Sequence, residues 1–514
     1  MKATHTGTIS NRLQKRLHQK LQSMSREETF SYLADTVYLE RKRIQEEDGS
    51  EYEVLLDSAA RSLKGSKESM HAALVNLTNA YVEEIHTHFS NRTYDLASKV
   101  LPSALTRLLT ASHPFQLLSS DFDPASRMIV QGPVEDLRNL SKEHTLVFTP
   151  THVSNLDSPL IGYALQSVGL PPVLYGAGLN LFSNPLMAFF LSRLGAYTVD
   201  RRKKNRLYKD VLKAYSTAIL EEGHHSLFYP GGTRSRDGSI ESEVKKGLLG
   251  TAIQAWQNNV QSGSGKEILI VPCTITSSLV LEAETLVDDA LADSGKSRYI
   301  ISDDEFSERR TMANFTRKVL NLDASIYIRF STPLDCMGNE VNGEGKSLDP
   351  LGTVIDRKGY ICNQKGSVIE DQQRDTIYTQ RLAAKLVDSF QKDSVVLPTH
   401  LVARAAWFAL TEKHPHLAPF QIALLAKQER TLDTSVLLKK IQCLTSQVHQ
   451  LDVPHSLPAS LEVLLESAYQ RFSLFHNERA LLQQGQKVAI NAKLAYYYGN
   501  RLAHLPLENI GSTQ

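Results

Sequence analysis

The sequence predicts an α/β protein, with a mixed sheet covered by helices and flanked by helical N- and C-terminal regions. Three observations carry this. Residues 11–105 are charged, nearly free of proline and apolar at helical spacing. Short apolar runs rich in β-branched or aromatic residues then alternate with amphipathic stretches, the texture of strands separated by covering helices. From Arg374 onward the helical spacing returns.

In the first part, Tyr32, Leu33, Val37 and Tyr38, and later Leu74, Leu77, Ala80 and Tyr81, form helical faces, and Pro102 and Pro114 punctuate the end of a helical domain over 1–110. An α/β domain over 111–335 follows, with candidate strands at 145–148, 173–175, 197–199, 226–229, 268–271 and 325–330. The stretch 336–375, rich in Gly, Asn and Asp, reads as an irregular excursion, and no internal repeat is evident. In the helical region 376–514, Leu382, Ala383, Leu386, Val387 and Phe390 make one face, and Ile422, Leu425, Leu437 and Ile441 continue the pattern.

Composition narrows the functional classes. A chain of 514 residues exceeds one core and predicts several structural units. Its 57 basic and 56 acidic residues leave a net charge of +1, which argues against nucleic acid as a partner and places any anion contact in local patches. Cys273, Cys336, Cys362 and Cys443 show neither a CxxC pair nor metal spacing, so no metal, zinc or disulfide is expected. Lys2, Arg12, Lys15 and Arg16 precede no apolar stretch of the kind a secretory signal needs, and no apolar run reaches the ~18 residues of a spanning helix. The expected location is the cytoplasm, with membrane contact from one side.

Chemistry concentrates in four segments. Thr149-Pro150-Thr151-His152-Val153-Ser154-Asn155-Leu156-Asp157-Ser158-Pro159 lies between a predicted strand and a predicted helix. There Asp157 can orient the His152 ring, leaving the other nitrogen to take a proton from a hydroxyl. Alternatively, Asp157 or Ser158 simply caps the helix that Pro159 begins. The second segment, Ser226 to Gly238, runs a strand into Pro230-Gly231-Gly232-Thr233-Arg234-Ser235-Arg236. Its glycines admit close backbone approach, and Arg234 and Arg236 offer forked donors to phosphate; the plainer reading is a turn with solvated arginines. Third is a strand ending at Asp200-Arg201, followed by a basic run from Arg202 to Arg206 that reads as solvated charge, Arg201 excepted. The fourth, Ile270-Val271-Pro272-Cys273-Thr274, is a buried strand ending at a proline.

In this order the four segments resemble the glycerolipid acyltransferase superfamily, whose blocks are a His-x4-Asp motif, a strand leading to Arg, a Pro-Glu-Gly-Thr-Arg-Ser loop and a Val-Pro strand. Similarity is closer to the glycerol-3-phosphate and dihydroxyacetone-phosphate branch, on Lys246-Gly247-Leu248-Leu249 and on Val280-Leu281-Glu282. Val395 through Val402 resembles a helical segment that follows the catalytic part in bacterial glycerol-3-phosphate acyltransferases. The resemblance covers 140–330, and 376–410 more weakly. One departure is that Gly231 stands where the family usually carries Glu.

The resemblance implies direct transfer without an acyl-enzyme. His152 deprotonates the acceptor hydroxyl, Asp157 holds the ring, and Arg201, Arg234, Arg236 and Lys246 receive the acceptor phosphate beside Gly232, Thr233 and Ser235. The implied partners are an acyl-thioester donor, either acyl-CoA or acyl-carrier protein, and a phosphorylated glycerol acceptor, with no separate cofactor. The product implied is lysophosphatidic acid, from acylation of the 1-hydroxyl of glycerol 3-phosphate. 1-Acylglycerol 3-phosphate or dihydroxyacetone phosphate are the alternative acceptors, and a catalytically silent lipid-binding protein is the alternative of another class. A serine hydrolase using Ser154 lacks a Gly-x-Ser-x-Gly elbow. Gly263-Ser264-Gly265-Lys266 and Gly176-Ala177-Gly178 are incomplete nucleotide motifs. The apolar stretch 179–191, followed by the basic run at 201–206, is the expected peripheral membrane contact, with a core helix as its plainer reading.

Overall fold

The computed structural model describes residues 5–45, 52–87, 89, 128–179, 191–280, 282–294, 326–472, 476 and 479–509. Four helices open the chain: α1 (His5–Gln22), α2 (Arg26–Gln45), α3 (Glu53–Ser62) and α4 (Lys67–Ile85). Local chemistry starts two of them. Ser25 and Glu28 exchange side-chain and backbone hydrogen bonds of 3.1 and 2.7 Å at the head of α2, and the Ser66 side chain accepts the Ser69 N–H at the head of α4. Their apolar faces bury Leu33, Leu74, Leu77 and Tyr81 together with Leu174 and Tyr197 of the sheet, so these helices share a core with the α/β part.

Seven strands form the main sheet: β1 (Met128–Gln131), β2 (Thr145–Pro150), β3 (Leu174–Gly178), β4 (Ala196–Val199), β5 (Ser226–Leu227), β6 (Ile268–Ser277) and β7 (Ile326–Phe330). Their order is β1-β7-β6-β2-β5-β3-β4. From β6 through β4 every neighbouring pair is parallel; β7 joins β6 antiparallel, and β1 joins β7 parallel. The sheet is therefore mixed, as predicted. Along β6, Ile268 and Ile270 face α8 (Lys246–Ser262), whereas Leu269, Val271, Cys273 and Ile275 face α5 (Val134–Glu143) and α6 (Asp157–Ser167). A strand with both faces buried reads as a continuous apolar run. Between β4 and β5 the chain forms α7 (Arg206–Glu221).

Strand β6 does not stop at its proline, contrary to the sequence reading. The carbonyls of Ile270 and Pro272 accept the N–H groups of Leu334 and Ser331 at 2.7 and 2.9 Å, on the side away from β2. The missing donor of Pro272 thus falls at the break between β7 and Leu334 and costs the ladder nothing.

The segment beyond β7 is regular rather than irregular. Asp335, Asn342, Asp349, Asp356 and Asn363 recur at seven-residue spacing, and Gly338, Gly345, Gly352, Gly359 and Gly366 each follow three positions later. At Asp335, Asn342, Asp349 and Asn363 the side-chain Oδ1 accepts the N–H groups two and four residues on, at 2.7 to 3.1 Å. In these same units the glycine has φ between +77° and +84°, which closes the turn without steric cost. Each turn is stitched to the last, as by Val341 N–H to Pro333 O, Leu348 to Glu340 and Ile355 to Ser347. A repeat of tight turns has neither helix nor strand periodicity, which is why hydrophobic patterning passes over it.

The C-terminal region holds α10 (Gln372–Asp393), α11 (Pro398–Lys413), α12 (Pro419–Ala423), α13 (Thr434–Gln450), α14 (Leu461–Phe472) and α15 (Ala492–Asn500). It also contains a small antiparallel sheet not foreseen in the sequence, β8 (Thr431–Asp433), β10 (Lys487–Ile490) and β9 (Leu481–Gln484) in spatial order. Helix α10 covers the sheet beside α8 through Leu382, Leu386 and Phe390. Helices α11 and α15 share one core with Val153, Leu279 and Val280 and with α9 (Ala283–Ser294), which places the C-terminal region beneath the loops leaving β2 and β6.

Candidate active site

Parallel strands β2, β5, β3 and β4 end at one edge of the sheet, where loops from neighbouring strands converge. His152 lies two residues beyond β2 on that edge. Its Nδ1 is 3.0 Å from Oδ2 of Asp157, the first residue of α6. The same oxygen accepts the N–H groups of Val153 at 2.6 Å and Ser154 at 2.8 Å, so Asp157 organises the whole turn. The capping alternative is resolved against: Leu156 is the N-cap of α6, no side chain caps it, and the Asp157 carboxylate turns back to His152.

The main chain of His152 and the face of its ring are also held. Its N–H donates to Glu241 Oε1 at 2.7 Å, and its carbonyl accepts the N–H of Ser235 at 2.9 Å. The imidazole stacks on Tyr229 with centroids 4.2 Å apart and planes at 27°, and the Tyr229 hydroxyl lies 3.1 Å from Ser158 Oγ. Burial pushes the Tyr229 phenol well above its ordinary range, so it stays neutral. With Nδ1 committed to a buried carboxylate and the side chain 14% exposed, Nε2 is the nitrogen available for proton transfer.

The glycine-rich loop after β5 meets this turn directly. Arg234 Nη1 donates to Glu282 Oε1 at 3.2 Å, and that carboxylate also accepts Asn155 N–H and Ser154 Oγ, each at 2.9 Å. Glu282 therefore ties the arginine to the His152 turn. Ser235 spends its hydroxyl on Ser239 O at 2.7 Å. Thr233 and Arg236 are exposed, and Gly232 adopts φ +79°. A side chain at 232 would run into Lys245, whose N–H is bound to Pro230 O at 2.7 Å. Lys245 is thus the lysine laid along the loop, whereas Lys246 begins α8 as an exposed residue. A cavity of about 240 Å³ opens here, lined by Gly231, Thr233, Arg234, Ser235, Glu241 and their neighbours.

Arg201 is exposed just beyond β4, on the same edge but three strands from β2, roughly 14 Å at ordinary strand spacing. In the run that follows it, Arg202, Lys204 and Arg206 are exposed, as the composition implied, and Lys203 is the exception. Arg202 Nε pairs with Asp200 at 2.9 Å. Lys203 is buried, paired with Glu84 of α4 and enclosed by the rings of Tyr52, Tyr81 and Tyr208, 4.2 to 5.3 Å from its Nζ. These residues dock the N-terminal helices onto the sheet edge. Of the apolar stretch preceding them, 180–190 lie outside the described residues, and among the described residues no helix is long and apolar enough to cross a membrane.

The chain's far end closes the back of the site. Arg501, buried, donates to Ile275 O at 3.2 Å and Ser239 O at 3.5 Å, and Asn500 Nδ2 donates to Asp237 O at 3.0 Å. At Gly238, φ +82°, any side chain would strike the Tyr497 carbonyl.

Sequence comparison matches residues 133–276 to the protein family described as Acyltransferase. Among solved structures, a similar one is the 1-acyl-sn-glycerophosphate (LPA) acyltransferase PlsC from Thermotoga maritima, 15% identical, with a TM-score of 0.27 over 58% of this chain and 82% of that one. Glu282 and Arg501 lie outside the matched segment, while the His152 turn and the Arg234 loop lie within it. Residues 133–276, which carry the His152 turn and the Arg234 loop, are thus the part of the chain that is similar to the acyltransferase family.

Proposed function

We propose that this protein transfers a fatty acyl group from acyl-CoA or acyl-carrier protein to the 1-hydroxyl of glycerol 3-phosphate, making lysophosphatidic acid. The observation that carries the reading is the link from His152 to Asp157 on one side and, through Asn155 and Glu282, to Arg234 on the other. A general base and a guanidinium held in one framework suit an acceptor with a hydroxyl at one end and a phosphate at the other. His152 Nε2 takes the hydroxyl proton as the oxygen attacks the thioester carbonyl; the imidazolium is stabilised by Asp157 and returns the proton to the leaving thiolate. Arg234, with Arg201, Arg236 and Lys246 as further cations around the edge, receives the phosphate. The long acyl product places the enzyme at the membrane surface as a peripheral protein.

Ser154 does not favour a hydrolase reading, because its hydroxyl is donated to Glu282 and not to His152. The test is an assay of purified protein with labelled glycerol 3-phosphate and palmitoyl-CoA, repeated with acyl-carrier protein as donor. Lysophosphatidic acid formed by the unmutated protein and not by His152→Ala supports the reading. Transfer only to added 1-acylglycerol 3-phosphate or to dihydroxyacetone phosphate changes the acceptor, and no transfer to any of the three rejects the activity.

A further inference from the structure

Glu241 stands 89 residues from His152 in sequence and touches it directly. Its Oε1 accepts the His152 N–H at 2.7 Å. Its Oε2 is enclosed and has no hydrogen-bond partner among the described residues. The side chain lies against Gly231: a Cβ at 231 would sit 3.1 Å from Glu241 Cγ and 3.4 Å from Oε1. A side chain at 231 would crowd this carboxylate, which would have to give way by a few tenths of an ångström. Gly231, Arg234, Ser235 and Glu241 line the same cavity.

An enclosed carboxylate oxygen without a donor is costly, on the order of 1–3 kcal/mol or more, a cost that a donor from a ligand, a water or an ion relieves. Arg501, a buried cation whose charge acts on Glu241, gives its hydrogen bonds to the carbonyls of Ser239 and Ile275 instead. Burial raises the Glu241 carboxyl above the usual range, the response of a group short of donors. A cavity lined by both Arg234 and Glu241 fits a polyol phosphate, with the phosphate on Arg234 and an O–H on the carboxylate.

We propose that Glu241 is the acceptor-positioning carboxylate of this site: Oε1 fixes the main chain of His152, and Oε2 accepts a hydrogen bond from the hydroxyl of the polyol phosphate that is not acylated. This rests on the acyl-transfer reading above. It assigns to a residue outside the recognisable motifs the carboxylate that Gly231 lacks.

The test compares Glu241→Gln with the unmutated enzyme on two acceptors, glycerol 3-phosphate and 2-hydroxyethyl phosphate, which has only the hydroxyl to be acylated. Glutamine preserves shape, and its amide oxygen can still accept the His152 N–H, but its NH2 group replaces Oε2. The KM for glycerol 3-phosphate should rise roughly tenfold with kcat within about threefold, while the KM for 2-hydroxyethyl phosphate stays within about twofold. Glu241→Ala, which also frees the His152 N–H, should lower kcat on both acceptors. Equal KM changes on the two acceptors, or none on either, overturn the role of Glu241 and leave acyl transfer standing. Failure of the unmutated protein to acylate any phosphorylated acceptor overturns the functional reading, and the assignment of Glu241 with it.

Discussion

Arg234 Nη1 and the backbone N–H of Asn155 converge on the same oxygen, Oε1 of Glu282, at 3.2 and 2.9 Å. Glu282 is 2% exposed at its side chain and Arg234 21%, so the pair sits at the wall of the site rather than in bulk water. Removing the carboxylate leaves Ser154 Oγ and Asn155 N–H without their acceptor and lets the guanidinium swing. Glu282→Ala should lower kcat/KM by about 10- to 100-fold, the range for losing a charged hydrogen-bond partner. Arg234→Ala should act mainly on KM for phosphorylated acceptors. Arg234→Lys should not restore it, because an ammonium cannot keep the planar fork. Steady-state kinetics on the three variants decide; a Glu282→Ala enzyme with unchanged kcat/KM removes that carboxylate from the site.

Asp157 carries three donors on one oxygen, two of them backbone N–H groups. Asp157→Asn keeps an oxygen for the backbone donors, so the turn survives, but it removes the charge that stabilises the imidazolium. A fall in kcat of roughly 10²- to 10⁴-fold with little change in acceptor KM is expected. A melting temperature close to that of the unmutated protein, measured alongside, separates this from misfolding. Near-normal kcat would mean that the carboxylate serves only the turn.

How much of this was legible beforehand follows sequence separation and periodicity. The mixed sheet was readable because its strands are short apolar runs between amphipathic helices. His152 and Asp157 were readable because five residues separate them. Glu241 and Glu282 act on the same turn from 89 and 128 positions away; Glu282 stood within a segment of resemblance but without a role, and Glu241 carried no local signal. Lys203 looked solvated because its neighbours are charged, yet Tyr52, Tyr81 and Glu84, supplied by a distant part of the chain, enclose it. The seven-residue turns were written plainly in the Asp/Asn and Gly spacing, but their recurrent apolar positions, Leu334, Val341, Leu348, Ile355 and Cys362, match neither the 3.6-residue face of a helix nor the alternation of a strand.

Lys203 gives that enclosure a measurable consequence. Its side chain is 2% exposed and its partner Glu84 16%. Lys203→Met retains most of the apolar volume but leaves the Glu84 carboxylate without its cation, while Glu84 Oε1 already lacks a partner. Breaking one side of such a pair should cost about 3 kcal/mol. Urea denaturation would read the loss. A change below about 1 kcal/mol would mean that the pair contributes little to docking the N-terminal helices.

Two buried histidines set an acid limit on stability. His400, whose Nε2 lies 3.1 Å from Ser277 O, is held at about 3 chiefly by burial, with Arg501 adding to it. His225, whose Nδ1 accepts Leu146 N–H at 3.1 Å, is held at about 4, again chiefly by burial. Unfolded, both titrate near 6.5. Between those values the unfolded chain binds more protons than the folded one, so their contribution is complete above about pH 6.5 and is lost as pH falls toward 4 and below. Melting temperature should therefore drop from pH 7 to pH 5. His225→Gln, which keeps an acceptor for Leu146 but does not titrate, should flatten part of that slope; an unchanged slope would exclude His225 as a cause.

Arg501 tests whether the C-terminal region serves the site or merely adjoins it. Its guanidinium bridges Ser239 O in the loop after β5 and Ile275 O in β6, and Asn500 adds a 3.0 Å hydrogen bond to Asp237 O. It is also the buried positive charge that offsets Glu241, Asp157 and Asp237. Arg501→Met fills similar space but leaves two carbonyls and a cluster of negative charge uncompensated, so both stability and turnover should fall. Arg501→Lys should recover little, because one ammonium does not supply the two spread donors. Limited proteolysis supplies the readout that separates a local from a global effect: cleavage within 231–243 should accelerate in the variant before the rest of the chain becomes susceptible. If that loop stays as resistant as in the unmutated protein while turnover is normal, the catalytic edge is held by the sheet alone.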